Sequence, residues 1–214
     1  MRYLAALVLW LVGALSASAN GVNVIGYVGC SNSANSVSGY HSVVGNKNLL
    51  WPQYDTGGGS IDKWAPSSSV YWQRYKLMVT RYGQPTSVWV QLCEKASTTL
   101  ATYTQVKNMI ANLKAISPQA LIYVSAINLY NPITICNMMG AGGRGVVDTV
   151  RFRERLVADG LALRGPDSVA GEPDGYSFGL GPLTTSNTQT DHCHPNSAGM
   201  KLLGEQLQIF FDGT

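Results

Sequence analysis

Charge is scarce in this chain. Only 13% of its 214 residues are Asp, Glu, Lys or Arg, and 15 basic residues nearly balance 12 acidic ones for a formal net charge of +3. These charges form no run or stripe, so the dense basic face of a dedicated nucleic-acid binder is absent. Long apolar runs are also lacking. The one candidate, residues 3–15, falls short of the roughly 20 residues that a membrane-spanning helix needs. No internal repeat is visible and no linker divides the chain. The four cysteines, Cys30, Cys93, Cys136 and Cys193, lie too far apart for a zinc knuckle. What the chain does have is a 45% hydrophobic content, enough for one ordinary domain with its own core and too much for a disordered polymer.

The first nineteen residues read as an address. Met1-Arg2 gives a short positive start, residues 3–15 are almost wholly apolar, and Ser16-Ala17-Ser18-Ala19 offers the small residues that signal peptidases cut. A cut after Ala19 predicts a secreted or periplasmic chain of residues 20–214, a single domain with no remaining membrane span. Loss of Arg2 lowers the formal charge from +3 to +2. Export places the cysteines in an oxidising compartment, where an even number suggests pairing. Four cysteines allow three connectivities, and spacing does not choose among them.

Strand-like and helix-like segments alternate along the rest. Residues 22–29 read as a buried strand, and 31–39 as a polar loop entering a short helix. Residues 48–54 suggest a second strand, weakened by Pro52. After the turn Gly57-Gly58-Gly59, Ser60 caps a helix to about Tyr82 that Pro66 and the serines 67–69 split in two. Residues 86–92 are the clearest strand. Ser97 or Thr98 is expected to cap a helix to Ile116, with Leu100, Tyr103, Val106, Ile110 and Leu113 on one face. Residues 120–127 form another strand, 128–145 a long loop, 146–159 a helix and 161–163 a short last strand. A second long loop covers 164–192, and 196–211 close the chain as an amphipathic helix. Such alternation predicts an α/β fold with a parallel sheet covered on both faces, its ligand site beyond the carboxyl ends of the strands.

Two places on this framework carry chemistry. Ser31 follows the first strand directly, in Gly29-Cys30-Ser31-Asn32-Ser33, where its hydroxyl meets the carboxyl edge of the sheet and a following N–H can face an oxyanion. A serine needs a base and an acid to orient that base. Asp191-His192-Cys193-His194-Pro195-Asn196 supplies both: one tight turn can set the Asp191 carboxylate against the His194 ring.

In these residues the chain resembles the SGNH (GDSL-type) hydrolases. Their first block is similar to residues 29–33, and their Asp-x-x-His-Pro-Asn block to Asp191 through Asn196, with Gly199 following. The resemblance implies a three-layer flavodoxin-like fold, Ser31 as nucleophile, His194 as general base and then acid, and Asp191 as the residue orienting His194. It implies an oxyanion hole from the N–H of Ser31 and a glycine of the second block, Gly59 or alternatively Gly58. Two departures stand out. Cys30 replaces the usual Asp, and the third block, normally Gly-x-Asn-Asp, reads Cys93-Glu94-Lys95-Ala96. The usual asparagine donor is therefore missing, with Lys95 and Asn128 as candidate substitutes. Loss of one such donor lowers rates by about 10²–10³.

The family's strand order brings Cys30 and Cys93 together, implying one bridge between them and a second, Cys136–Cys193, that pins His194. Two buried thiols at Cys30 and Cys93 are the alternative. Asp191, His192 and His194, with His41, are alternatively metal ligands; the resemblance makes His192 a spacer and implies no metal and no cofactor. Gly140-Ala141-Gly142-Gly143-Arg144-Gly145 satisfies G-x-G-x-x-G but sits deep in a loop, the wrong context for a dinucleotide. Trp51, Trp64, Trp72 and Trp89 read as core. Tyr130, Tyr176 and Phe178 lie on loops that should overhang Ser31.

The resulting expectation is a monomeric exported serine esterase acting on short acyl or carbohydrate O-acetyl esters, with a small-molecule or glycan-linked substrate and no nucleic-acid partner. An acyltransferase using the same residues and a non-catalytic glycan- or surface-binding module are the alternatives.

Overall fold

The computed structural model describes residues 23–45, 48–95, 99–132, 134–136, 144–167 and 182–213. The expected leader lies outside them, as do Ser97, Thr98, Tyr176, Phe178 and residues 140–143 of the glycine-rich loop. Arg144 and Gly145 are already helical.

The sheet consists of β1 (Ile25–Val28), β2 (Ser87–Gln91), β3 (Leu121–Ser125) and β4 (Leu163–Arg164). All neighbours pair in parallel, in the order β1-β2-β3-β4. The first three strands are short runs rich in Val, Ile and aromatics, as expected where both faces are covered. Parallel pairing requires crossovers, and helices supply them: α1 (Ser31–Val43), α2 (Ile61–Trp64), α3 (Val70–Tyr82), α4 (Tyr103–Ile116), α5 (Arg144–Ala158) and α6 (Ser197–Phe211). The architecture is therefore the expected three-layer α/β sandwich.

The expected strand at 48–54 contracts to one parallel bridge, Ile25 to Leu50, on the free side of β1. Trp51 still donates its N–H to the Ile25 carbonyl at 2.9 Å. Pro52 then lacks the donor to continue, and Tyr54 leaves the ladder to bond Tyr27, giving its hydroxyl to the Tyr27 carbonyl at 2.5 Å. The chain thus lies first on one side of β1 and then, through β2, on the other. That reversal opens a crevice at the carboxyl end of β1.

Further corrections concern helix starts. Ser31 is not in a loop: the helix begins there, with Cys30 as its flanking residue. The cap of α4 is Thr102, not Ser97 or Thr98; its hydroxyl accepts the Gln105 N–H while the Gln105 side chain accepts the Thr102 N–H, a capping box. The split of residues 61–82 into α2 and α3 is as expected, with Ser69 capping the second piece.

Trp51, Trp64, Trp72 and Trp89 are all buried in the core. Tyr123 of β3 meets Phe210 and Phe211 of α6 edge-on, so α6 covers that face beside α1. On the opposite face Trp51 lies against Gly26 and Tyr75 of α3, and Tyr103 of α4 stacks on Phe152 of α5. The α1 sequence is too polar for an ordinary amphipathic helix, yet Asn32, Ser33, Ser36 and Gly39 are buried. Small residues let its backbone touch that of α6. A Cβ on Gly39 would stand 1.7 Å from the Met200 carbonyl oxygen, and one on Gly204 would stand 2.1 Å from the Gly39 carbonyl carbon.

Candidate active site

Ser31 is the first residue of α1, at the crevice. Its turn is held from beneath by three side chains. Trp64 Nε1 donates to the Gly29 carbonyl at 2.8 Å, and Thr56 Oγ1 donates to the Cys30 carbonyl at 2.8 Å. Ser33 Oγ accepts the Cys30 N–H at 3.0 Å and donates to Gln91 Oε1 at 2.7 Å. Only glycine fits at 29, because a Cβ there would lie 2.0 Å from Ser33 Oγ. Gln91 in turn donates to Asn128 Oδ1 at 2.8 Å. The Ser31 turn is thereby tied through one buried polar relay to β2 and to the segment just after β3.

The other half of the site comes from residues 191–196. Asp191 Oδ1 accepts the N–H groups of Cys193 and His194, each at 3.0 Å, so the carboxylate organises its own turn. His192 carries the left-handed conformation that closes this turn, with φ of 56°. Asn196 then caps α6, accepting from the Ala198 and Gly199 N–H groups. His194 Nδ1 stands 2.5 Å from Asp191 Oδ2, and Nε2 stands 2.7 Å from Ser31 Oγ. Because Nδ1 faces a carboxylate it is the protonated nitrogen, leaving Nε2 to accept from the serine hydroxyl. Partial burial pushes the Asp191 carboxyl up, but hydrogen bonds from the His194 ring and the Cys193 and His194 N–H groups outweigh it and hold it at about 2. The carboxylate stays charged across the physiological range.

Both expected bridges are present, Cys30–Cys93 and Cys136–Cys193, and no described cysteine is free. The alternative of buried thiols at Cys30 and Cys93 is overturned. The first bridge joins the residue before Ser31 to the end of β2, and the second joins the residue before His194 to the loop after β3. All four of these cysteines, with Ile127, line a cavity of about 360 Å³ that Ser31 and His194 also line.

Other expectations need adjustment. The Gly59 N–H is spent on the Thr56 carbonyl at 2.9 Å, so it cannot serve an oxyanion. Gly58, with φ of 72°, borders the cavity instead. Of the two substitute donors, Asn128 is buried behind the cavity on Gln91, while Lys95 borders it with its ammonium 2.5 Å from Asp62 Oδ2. Tyr130 does not overhang Ser31. It is buried, accepts from Asn32 Nδ2 at 3.3 Å and donates to the Cys193 carbonyl at 2.7 Å. His41 bonds Asn48 and the Trp51 carbonyl through its two ring nitrogens, and among the described residues no three His, Cys, Asp or Glu side chains cluster as metal ligands. No helix of the described residues is long and apolar enough to cross a membrane.

Sequence reasoning passed over Glu94 as a site residue. It is buried, lines the cavity with Ser31, and accepts the Ala101 N–H at both carboxyl oxygens, 3.1 and 3.2 Å away. Burial pushes its carboxyl up to about 7, with Asp148 and Asp62 adding to the rise and the Ala101 N–H and Lys95 opposing it. Its place directly after Cys93, where the third block diverges, was the available signal.

No protein-family model matches the chain, and no curated protein matches it. Solved structures do. A Lactobacillus plantarum protein superposes with a TM-score of 0.55 at 16% identity, over 90% of this chain and 97% of that one. The periplasmic domain of a lipopolysaccharide acetyltransferase from Salmonella ser. Paratyphi A gives 0.53 at 14% identity, over 89% of this chain and 84% of that one. A protein described as a GDSL-like lipase from Bacteroides uniformis gives 0.39 at 13%, over 83% and 75%. The first two likenesses, spanning nearly the whole chain, establish the α/β fold.

Proposed function

We propose that this chain is a serine esterase of the SGNH type that cleaves carboxylic esters with short acyl groups. The observation that carries the reading is the continuous relay of Ser31 Oγ, His194 Nε2, His194 Nδ1 and Asp191 Oδ2, at 2.7 and 2.5 Å, on the wall of a cavity. Two residues 163 positions apart meet in hydrogen-bonding register, and a fold has no need of that contact for stability alone.

Ser31 Oγ attacks the ester carbonyl carbon while its proton passes to His194 Nε2. The oxyanion is met by the N–H groups at the start of α1 and by Gly58. Collapse of the tetrahedral intermediate breaks the bond to the alcohol oxygen, which takes the proton from Nε2. Water then attacks the acyl-serine by the same route, releasing the acid and restoring Ser31. Asp191 fixes the ring and stabilises the imidazolium, without itself taking the proton. The cavity volume suits a short acyl group.

The two disulfides support an oxidising location, in line with an exported single domain of residues 20–214, monomeric, freed of its leader after Ala19. Transfer of the acyl group to a hydroxyl acceptor in place of water is the second reading, favoured by the likeness to an acetyltransferase periplasmic domain. A purely binding module is disfavoured, since binding has no use for a formed serine–histidine–aspartate relay.

Hydrolysis of p-nitrophenyl acetate by the exported protein, set against Ser31→Ala, tests the proposal. Loss of turnover in the folded variant supports it; equal rates in both proteins refute it.

A further inference from the structure

Gln206 is a polar side chain in an apolar place. It lies on α6 between the buried Leu203 and Leu207 and is only 5% exposed. Leucine or methionine would suit that position, because an amide taken out of water without a partner destabilises the fold. Yet Gln206 Nε2 meets no hydrogen-bond acceptor among the described residues. Asn128, buried three residues beyond β3, has its Nδ2 in the same condition. The two line one small cavity where α1, α6 and β2 meet, together with Ser36 and Gln91.

The hydrogen bonds leading to this cavity have a fixed direction. A backbone N–H can only donate, so Ser33 Oγ accepts from Cys30 and gives its own proton to Gln91 Oε1. That places the Gln91 amide nitrogen against Asn128 Oδ1. Asn128 therefore has only its NH₂ left to offer, since turning its amide over would set nitrogen against nitrogen. Gln206 brings a second donor. The Trp89 Nε1–H, also in the lining, is already given to Ser125 Oγ at 2.9 Å. Ser36 spends its proton on the Asn32 carbonyl at 2.9 Å and keeps lone pairs with which to accept. No charged side chain lines the cavity.

A ligand for this place accepts twice, donates at least once and carries no net charge. The cavity is about 10 Å³, room for one water molecule and no more, since about 10–15 Å³ open to its centre is the least that a water needs. An anion would meet the two donors but no cation to offset its desolvation. We infer that this cavity binds a single internal water, which accepts from Gln206 Nε2 and Asn128 Nδ2 and donates to Ser36 Oγ. About three such bonds are usual for a buried water. The water completes a chain from α6 through Asn128, Gln91 and Ser33 to the Cys30 N–H, directly before Ser31. His194 stands three residues before α6 begins, so the water joins the supports of the two halves of the site, whether or not that site cleaves esters.

Water–protein Overhauser spectra of the oxidised protein test this at the protons concerned. A long-lived water should give cross-peaks at the side-chain NH₂ protons of both Asn128 and Gln206, with opposite signs in the laboratory and rotating frames. Absence at either residue overturns the site. Gln206→Met adds a test that turns on its sign, because methionine keeps the length and the packing but cannot donate. With a bridging water, the change leaves Asn128 unpaired, and the unfolding equilibrium constant should rise roughly five-fold or more. Without one, the change removes an unpaired buried amide, and a variant as stable as wild type or more so overturns the inference. The Cys30 amide resonance, at the far end of the chain of bonds, should also move in Gln206→Met; an unmoved signal overturns the link to the Ser31 turn. Should this variant not fold, the wild-type spectra decide alone.

Discussion

Tyr130 gives its buried hydroxyl to the carbonyl of Cys193, 2.7 Å away and one residue before His194. The same oxygen accepts from Asn32, one residue after Ser31. A single phenol thus links the neighbours of the proposed nucleophile and base. Tyr130→Phe leaves a buried carbonyl and a buried amide without this partner, so stability should fall by about 1–3 kcal/mol. Because Tyr130 acts through position, kcat should fall several-fold with KM little changed. Thermal melts and p-nitrophenyl acetate kinetics check both effects.

Asp191→Asn should separate chemistry from stability. An amide cannot hold the His194 Nδ1 proton as a carboxylate does, and it favours the wrong tautomer. The expected loss in kcat is about 10³–10⁴. The amide oxygen can still accept the Cys193 and His194 N–H groups, and the Asp191 side chain is 39% exposed, so the fall in melting temperature should be small beside the loss of activity.

Removing the Cys136–Cys193 bridge, with both residues changed to Ala, opens a crosslink between positions 57 apart in sequence. Chain-entropy arguments put the loss at about 2–4 kcal/mol. Activity should fall more than the population of unfolded protein accounts for, since the bridge anchors the residue before His194. Chemical denaturation together with activity measured well below the midpoint tests this.

Glu94 makes stability depend on pH in a definite sense. Its carboxyl has an ordinary value of 4.5 and is raised to about 7 in the fold, so between those values the native state holds its proton more tightly than the unfolded chain does. Its contribution to stability is therefore greatest below about pH 4.5 and is lost as pH rises through about 7. Asp148, Asp62 and Lys95 are the charged groups acting on it. Glu94→Gln fixes the uncharged state, and its melting temperature relative to wild type should rise between pH 5 and pH 8. A gap that stays constant with pH would sink this assignment.

Much of this was legible in the sequence because it was local. Asp191 and His194 are three residues apart, and one turn with a left-handed His192 brings them together whatever the rest of the chain does. Ser31 was readable because a strand followed by small residues at once suggests the carboxyl edge of a parallel sheet. The disulfide pairs were not readable from spacing; they followed only when a strand order was assumed by resemblance. Other features depend on partners far away. Residues 48–54 have strand composition, but Pro52 and the pull of Tyr27 on Tyr54 end the pairing at one bridge. Gly58 and Gly59 are indistinguishable as letters, and the Thr56 carbonyl decides which N–H remains for a ligand. Tyr130, expected on a rim, is drawn inward because the Cys193 carbonyl needs a donor there.

The close approach of α1 and α6 at Gly39 and Gly204 has a consequence at the other end of both helices. Ser31 opens α1, and His194 stands three residues before α6 begins. The two helices act like the arms of a caliper, clamped eight residues along α1 from Ser31 and seven along α6 from Ser197, roughly 10–12 Å below the tips at the usual helical rise. The reach from hydroxyl to imidazole is therefore set by a methyl-sized tolerance at a place no substrate visits. In a random-mutagenesis screen for lost activity, that clamp should yield as many hits as the cleft itself, none of them recognisable as active-site residues by proximity.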